Sequence, residues 1–373
     1  MPSHIYLSAP HMSDEGYELE YIHDAFQKNW ISPLGENVNE FEKAVKAYLG
    51  TDYVVALSSG TAAIHMALIM AGVQPGDRVF CQDLTFAASA NPITYLGAEP
   101  VFIDSEYETW NMDPRALEKA IGLYGAPKAV IAVHLYGNPA KMKEICKICA
   151  AYNIALIEDS AEALGSEYDG RKCGTFGQYG ILSFNGNKII TTSGGGMLVT
   201  VDKEARDKAL FWSTQSREPA PWYQHEEIGY NYRMSNIIAG VGRGQLLHLQ
   251  EHCDKKEAIY RRYEEGLKGL PLKMNPYMDN MHPNFWLSCL LLDEGCGVTA
   301  MELMERLRQA DIESRPIWKP MHMQPVFAHL DFVSVADKPV NEYIFERGLC
   351  LPSDIKMTEQ EQDFVIETIK SAF

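Results

Sequence analysis

Residues 54–72 read VVALSSGTAAIHMALIMAG, and this stretch decides the fold. The apolar residues 54–57 are followed by the small and hydroxyl residues 58–61 and then by an apolar segment long enough for a helix. This order predicts a buried strand, a tight turn and a covering helix. Such a helix start exposes backbone N–H groups at the positive end of the dipole, which favours a phosphate. A plain Ser/Thr helix cap explains the same residues equally well.

Similar apolar runs, rich in Val and Ile, recur up to residue 200 and mostly alternate with helical segments. Runs that are apolar on both faces and alternate with helices indicate a mostly parallel sheet covered on both sides. The last run follows its predecessor without a helix, so we expect one antiparallel strand. The predicted strands are residues 54–57, 79–81, 101–103, 129–134, 154–157, 181–184 and 197–200, and the predicted helices are residues 37–50, 62–71, 87–96, 114–121 and 140–152.

The pattern changes after about Ser235, where a long helical stretch runs towards Leu267 and fewer strand-like runs follow. A chain of 373 residues is also too long for one simple core. We therefore predict an α/β protein with a large domain and a smaller α+β domain. The large domain, residues 13–250, carries a mixed, mostly parallel sheet of seven strands; the small domain is residues 251–373, and residues 1–12 form an N-terminal segment.

Composition and sequence pattern argue against nucleic acid, a membrane span, a signal peptide and a metal site. The formal net charge of −17 argues against nucleic acid, although a local pocket can still be positive. No stretch approaches the apolar length of a membrane span, and the N-terminus lacks the pattern of a signal peptide. The eight scattered cysteines suit a reducing cytoplasm. Cys146 and Cys149 form a lone C-x-x-C without further zinc ligands, so we expect no metal site.

Chemistry-bearing residues follow two of the predicted strands, where open α/β sheets bind their ligands. Glu158 and Asp159 end one strand, and each suits either a surface cap or a ligand site; Asp159 is the better candidate because Glu158 would point the opposite way. Lys188 follows another strand in an apolar, Gly-rich setting. A desolvated lysine there can form a Schiff base, whereas an exposed turn lysine is the commoner alternative. The glycines at 194–196 lack the dinucleotide spacing and indicate close backbone approach to a cofactor or a neighbouring subunit.

Seven segments along the chain resemble, in order and spacing, the DegT-type family of nucleotide-sugar aminotransferases, which depend on pyridoxal 5′-phosphate (PLP). The likeness covers nearly the whole chain and implies the aspartate-aminotransferase-like fold, PLP fold type I. The segments are NWISPLGENVNEFE, ALSSGTAAIHMAL, DLTFAASANP, AVHLYGNPA, LIEDSAEALGS, SFNGNKIITTSGGGM and GYNYRMSN.

The resemblance implies roles for the residues that match the family's motifs. Lys188 is expected to hold PLP covalently, Asp159 to pair with the pyridine nitrogen and Phe86 to stack on the ring. Asn231 is expected to reach the cofactor phosphate of the partner subunit, which implies a homodimer with shared active sites. The other implied cofactor residues are Gly60, Thr61, Ala62 and Ser183 at the phosphate and Glu162 near the ring hydroxyl.

The resemblance also implies the reaction: L-glutamate gives its amino group, through pyridoxamine 5′-phosphate, to a keto sugar carried by a nucleotide. Gly194 stands where many members have Glu in T-G-E-G-G, which puts any role of that Glu in doubt here. The T-S-G-G-G version is similar to the branch that acts at C4 of UDP-4-keto-6-deoxy-N-acetylglucosamine, for bacillosamine or legionaminic acid. The candidate substrate residues are Trp30, Ser32, Arg217, Arg315, Lys319 and His322.

Other interpretations remain open on the sequence. The sugar nucleotide can carry GDP or dTDP instead of UDP, and the keto group can lie at C3. The deoxygenating enzymes that resemble this family have His in place of the lysine. The presence of Lys188 therefore argues against a deoxygenating enzyme. Lys188 and Asp159 together disfavour a non-catalytic, ligand-sensing protein. The missing dinucleotide fingerprint disfavours a nicotinamide-dependent sugar oxidoreductase.

Overall fold

The computed structural model describes residues 4–373, so the first three residues of the expected N-terminal segment 1–12 lie outside the described residues. The strands of the described chain form three sheets. They are β1 (Tyr53–Leu57), β2 (Arg78–Gln82), β3 (Glu99–Ile103), β4 (Ala129–Val133), β5 (Ala155–Asp159), β6 (Glu167–Tyr168), β7 (Arg171–Lys172), β8 (Tyr179–Ser183), β9 (Gly196–Thr200), β10 (Leu272–Met274), β11 (Met281–His282), β12 (Cys289–Leu292), β13 (Arg315–Pro316), β14 (Phe332–Val333) and β15 (Gly348–Cys350).

The helices alternate with the strands up to β9 and dominate the chain after it. Two short 3-10 turns, Leu135–Gly137 and Met321–Met323, add to the α-helices. The α-helices are α1 (Tyr17–Gln27), α2 (Glu36–Leu49), α3 (Gly60–Met70), α4 (Ala87–Tyr95), α5 (Pro114–Tyr124), α6 (Met142–Ala151), α7 (Lys203–Ser213), α8 (Asn236–Leu246), α9 (Leu249–Gly266), α10 (Ala300–Gln309), α11 (Val340–Arg347) and α12 (Glu359–Lys370).

The largest sheet has the strand order β1-β9-β8-β5-β4-β2-β3-β14. β9 runs antiparallel to both of its neighbours, and all other pairs in this sheet are parallel. The carboxyl ends of β1, β2, β4, β5 and β8 therefore lie along one edge of the sheet. That edge is where an open α/β sheet binds its ligand.

The predicted α/β class, the mostly parallel sheet and its single antiparallel strand are confirmed. The sheet has eight strands and not the predicted seven, because β14 pairs in parallel with β3. A two-residue strand is too short to produce a periodic pattern in the sequence. The expected long helix after Ser235 is divided into α8 and α9 at residues 247–248.

Apolar helices bury both faces of the large sheet. α3 is the central one, and most of its residues are buried between the sheet and α4 and α7. α5 and α6 pack on the opposite face. This double cover explains why the strands read as continuous apolar runs and not as alternating ones.

The C-terminal part builds a second sheet in the order β10-β12-β15-β13, against which α9, α10 and α12 pack. It also returns twice to the first part of the chain. β14 extends the large sheet, and β11 pairs with β6. The division into residues 13–250 and 251–373 remains a prediction. Among residues 4–373, none of the helices combines the length and the apolar character that a bilayer crossing requires.

Candidate active site

A cavity of about 850 Å³ opens at the carboxyl edge of the large sheet. Its walls come from the ends of β5 and β8, the start of α3, the segment before α4, and residues 313–319 of the C-terminal part. The sequence-predicted residues that line it are Gly60, Thr61, Phe86, Asp159, Glu162, Ser183, Lys188, Arg315 and Lys319.

The start of α3 offers a site for an anion. Ser59 caps the helix, and its Oγ accepts a hydrogen bond from Ala62 N at 3.0 Å. The backbone N–H groups of Gly60 and Thr61 donate no hydrogen bond to any acceptor within residues 4–373. Both residues line the cavity together with Ser183. Two open amides at the positive end of a helix dipole fit a phosphate group.

The backbone of β9 touches this helix start without a side chain between them. A Cβ added to Gly196 would lie 2.4 Å from both Gly60 N and the carbonyl carbon of Ser59. Gly196 thus approaches the chain's own helix start, whereas the expected approach of residues 194–196 to a cofactor or a neighbouring subunit stays a prediction. Gly194 differs, because a Cβ there would meet nothing within 4 Å.

Asp159 presents a buried carboxylate to the cavity. Its Oδ2 accepts from Ser89 Oγ at 2.7 Å, and its Oδ1 accepts from Ala161 N at 3.1 Å. Ser89 in turn lies 2.8 Å from Thr85 Oγ1. These contacts fix the orientation of the carboxylate and leave lone pairs for a further donor, such as a protonated pyridine nitrogen.

Glu158, one residue earlier on β5, serves the opposite side of the sheet. Its Oε1 accepts from His134 Nε2 at 2.8 Å and from Gly174 N at 2.6 Å; its Oε2 accepts from Phe176 N at 2.6 Å and Gly177 N at 3.0 Å. Burial alone would raise the pKa of Glu158, but these hydrogen bonds hold the pKa below its usual value. Glu158 therefore anchors residues 174–177, as the alternation along a strand predicts.

His134, Glu158 and Cys173 lie close enough together to suggest a metal site. Both Glu158 oxygens already accept two hydrogen bonds each. His134 Nδ1 accepts from Ala140 N at 2.9 Å, which fixes its Nε2 as the donor to Glu158. The cluster is thus a completed hydrogen-bond network within the described chain.

Lys188 lies on the loop between β8 and β9, and its Nζ is 3.3 Å from Glu162 Oε1. Glu162 Oε2 accepts from Tyr136 N at 2.6 Å. Burial raises the pKa of Glu162, and the Lys188 ammonium and the Tyr136 amide partly oppose this. A lysine and a buried carboxyl group thus meet in the cavity.

Phe86 precedes α4 and forms one wall of the cavity, with 59 % of its surface exposed. Its ring packs at 5.4 Å and a tilt of 50° against Trp318. An open aromatic face of this kind suits stacking on a planar ring.

Two of the candidate substrate residues, Arg315 and Lys319, line the cavity. Arg315 Nη2 is paired with Glu313 Oε1 at 2.6 Å. The structure does not bring His322 to the cavity wall. Its Nδ1 lies 2.7 Å from Asp83 Oδ2, and its other ring nitrogen faces Glu342 at 3.2 Å. Carboxylates on both sides of the imidazole leave it no free donor for a nucleotide.

Four further candidates, Trp30, Ser32, Arg217 and Asn231, lie on exposed surface outside the cavity of their own chain. Asn231 Oδ1 accepts from Gln215 Nε2 at 3.0 Å, and Arg217 lies over the Tyr223 ring. Their roles remain predictions. If two subunits share their active sites, these residues would act in the cavity of the partner subunit.

Sequence reasoning missed Ser89, Trp286 and Trp318. Ser89 lies three residues after Phe86, so the i, i+3 spacing at the start of α4 could have identified it. Trp286 and Trp318 come from irregular segments of the C-terminal part, where no periodicity marks a residue as facing the cavity.

A lysine beyond a core strand, a carboxylate fixed at the neighbouring strand end and open amides at a helix start together define the class of PLP-dependent enzymes with an aspartate-aminotransferase-like fold. The Asp159 carboxylate, as an acceptor, fits the cofactor's protonated pyridine nitrogen, and the open amides of α3, as donors, fit its phosphate.

Comparison with known proteins places the chain within that class. Residues 13–370 match the DegT/DnrJ/EryC1/StrS aminotransferase family. The putative pyridoxal phosphate-dependent aminotransferase EpsN of Bacillus subtilis is 52 % identical, over 100 % of this chain and 97 % of EpsN. The GDP-perosamine synthase of Caulobacter vibrioides is 38 % identical, over 98 % and 97 %. The PLP form of the putative sugar aminotransferase Spr1654 from Streptococcus pneumoniae superimposes with a TM-score of 0.90 at 26 % identity, covering 99 % and 98 %.

The chain therefore belongs to the DegT/DnrJ/EryC1/StrS aminotransferase family. It is a PLP-dependent sugar aminotransferase.

The contrast between Glu158 and Asp159 yields the first test. Asp159→Asn keeps the shape but removes the charge, so we expect turnover to fall more than about tenfold, equivalent to about 1.4 kcal/mol of barrier, with little change in the melting temperature. Glu158→Gln places an amide donor against backbone N–H groups and is expected to cost about 2–4 kcal/mol of folding stability. Thermal unfolding and steady-state rates of both variants check this, and an exchange of the two phenotypes would refute it.

The Gly196 contact yields the second test. Gly196→Ala forces the added methyl group against the backbone of Ser59 and Gly60, so we expect a loss of about 1–3 kcal/mol of stability and weaker PLP binding. Gly194→Ala is the matched control and should change neither. Equilibrium unfolding and PLP titration of the cofactor-free protein measure both; equal behaviour of the two variants would contradict the close contact.

Proposed function

We propose that this enzyme transfers the amino group of L-glutamate to the C4 keto carbon of a nucleotide-linked 4-keto-6-deoxy sugar. The proposed acceptor is UDP-4-keto-6-deoxy-N-acetylglucosamine, and the product serves surface glycan biosynthesis. The observation that carries the proposal is the shared cavity of Lys188, Asp159 and the open amides of α3. The proposed compartment is the cytoplasm, which suits the chain's free cysteine thiols.

PLP, when bound, supplies an electron sink for the carbon that loses or gains a proton. In the proposal, Lys188 is its covalent anchor, and Gly60, Thr61, Ala62 and Ser183 are the residues at its phosphate. Asp159 keeps the pyridine nitrogen protonated, because a fixed buried carboxylate favours a positive charge beside it.

The second proposed role of Lys188 is proton transfer. Once its amine is released from the cofactor, it takes the proton from the Cα of glutamate and returns a proton in the second half of the reaction, as a general base and then a general acid. Glu162 Oε1, 3.3 Å away, keeps the amine within the cavity. Phe86, exposed on the cavity wall, is the proposed stacking partner of the cofactor ring.

The proposed site of the nucleotide is the C-terminal wall of the cavity. Arg315 and Lys319 are its cationic residues, and charge-assisted hydrogen bonds are the strongest available to a diphosphate. The volume of about 850 Å³ is within the range of small-molecule sites and leaves room for a sugar beside a cofactor.

A GDP-linked 4-keto sugar is the second candidate acceptor. The GDP-perosamine synthases of Caulobacter vibrioides and Escherichia coli O157:H7 are 38 % and 35 % identical to this chain. Their names include a GDP-linked product, which favours guanine as the alternative base.

A homodimer with shared sites is part of the proposal. Asn231, Arg217 and Trp30 are exposed on the surface of their own chain and lie outside its cavity. A two-fold axis would let the same residues of each chain reach the partner's cavity.

A panel of UDP-, GDP- and dTDP-linked 4-keto and 3-keto sugars tests the acceptor. With L-glutamate as donor, we expect kcat/KM to be highest for UDP-4-keto-6-deoxy-N-acetylglucosamine, by at least about tenfold, which is about 1.4 kcal/mol. Products are identified by mass spectrometry and by NMR of the aminated carbon. A higher kcat/KM with a GDP-linked sugar would transfer the proposal to the second candidate.

Complementation tests the shared site. Lys188→Ala and Asn231→Ala are each expected to be weak or inactive as homodimers. A mixed dimer carries both defects in one site and neither in the other, so mixing after joint unfolding and refolding should restore a substantial fraction of wild-type activity. The control mixes Lys188→Ala with Asp159→Asn, which act in the same site and should not complement. Absence of recovery, with mixed dimers demonstrated by mass spectrometry, would show that Asn231 does not act in trans.

A further inference from the structure

Trp286 is a buried residue of the cavity wall for which the proposed reaction has no role so far. It lies in the segment between β11 and β12 that leads into the smaller sheet. Three hydrogen bonds fix it. Its backbone N donates to Asn284 Oδ1 at 2.9 Å, its carbonyl accepts from Lys256 Nζ at 3.0 Å, and its indole Nε1 donates to Asn187 O at 2.7 Å.

The indole ring faces the amine of Lys188. Lys188 Nζ lies 4.2 Å from the centroid of the Trp286 ring, with Glu162 Oε1 as its other partner at 3.3 Å. The ammonium is thus held between an acidic side chain and the negative face of an aromatic ring. This distance is well within the range of cation–π attraction, which contributes about 0.5–2 kcal/mol.

The same indole is tied to the loop that carries the lysine. Its Nε1 bonds the carbonyl of Asn187, the residue before Lys188, so the loop and the ring keep a fixed relation. Tyr136 stacks beside the indole at 6.3 Å and holds Glu162 through its backbone amide. Both partners of the Lys188 ammonium are therefore set by one connected group of residues.

We propose that Trp286 is a positioning residue that holds the free, protonated amine of Lys188 in the cavity while that amine is not bonded to the cofactor. This inference rests on the proposed role of Lys188. A free lysine has four rotatable side-chain bonds and would leave the reacting carbon without such a partner. The π face supplies attraction without adding a second negative charge beside Glu162.

The reactivity of Lys188 in the cofactor-free protein tests this contact. Protein is treated with a small neutral acylating reagent, and the rate of acetylation of Lys188 is read by peptide mass spectrometry. Lys319, in the same cavity, gives the internal control for access of the reagent. Near pH 8 we expect Trp286→Met to raise the Lys188 rate about 2- to 30-fold, which is the cation–π range converted to a rate. Trp286→Phe keeps an aromatic face but loses the Nε1 bond, so it should raise the rate less than Trp286→Met does.

Two further measurements separate charge from access and from misfolding. The difference between Trp286→Met and wild type should shrink steadily as the pH rises through the range in which lysines lose their charge. Fluorinated tryptophan at position 286 keeps the shape and the Nε1 bond but weakens the negative face, so the rate should rise stepwise with fluorine number even where Trp286→Met does not fold. Trp212→Met, at a tryptophan of α7 that faces Lys208 and lies outside the cavity, is the matched control and should leave the Lys188 rate unchanged.

An unchanged Lys188 rate in the fluorinated series would overturn the proposal, as would a rise that persists at high pH or appears equally at Lys319. In the enzyme with cofactor, Trp286→Met should lower kcat more than it changes KM. Borohydride reduction of wild-type protein with PLP, followed by digestion, tests the role of Lys188 separately. A label on another lysine would refute that role, whereas the acylation result alone decides the contact with Trp286.

Discussion

The cofactor half of the site depends on one backbone contact, between Gly196 and the start of α3. A methyl group on Gly196 would lie 2.4 Å from Gly60 N, so only glycine lets β9 approach so closely. This approach places the open amides of α3 beside the end of β8, and the loop from β8 to β9 then brings Lys188 back over the cavity. The anion site and the loop that carries Lys188 are therefore positioned by the same sheet edge.

One strand supplies two different chemistries at this edge. Successive residues of β5 point to opposite faces, so Glu158 is buried under four hydrogen bonds and anchors a loop, whereas Asp159 faces the cavity. The alternation of a strand is thus enough to separate a structural acid from the adjacent candidate cofactor ligand, which faces the cavity. It also fixes the distance between them, since both are held by the same rigid backbone.

The sequence predicted the parts of the molecule that repeat a pattern. Double-sided apolar runs identified seven of the eight strands of the large sheet, and the rule that ligands bind beyond strand ends identified Asp159 and Lys188 as candidates. β14 was missed because two residues carry no period. Trp286 was missed because its position follows from hydrogen bonds to Lys256 and Asn187, which are distant from it in the sequence. His322 was a candidate by its segment, yet two carboxylates occupy its ring nitrogens.

The family follows from residues at the strand ends of the large sheet, whereas the identity of the acceptor depends on residues of the loops. The candidate cofactor residues Asp159 and Lys188 lie at or after strand ends, whose relative positions are set by hydrogen bonding across a buried sheet. Arg315 and Lys319 lie instead on a segment that pairs only through the short β13. Arg217 and Asn231 lie on exposed loop surface. Loops of this kind can change their side chains without disturbing the sheet. Relatives with the same cofactor edge can therefore recognise different nucleotides, and the discriminating contacts have to be sought on the loops and not in the core.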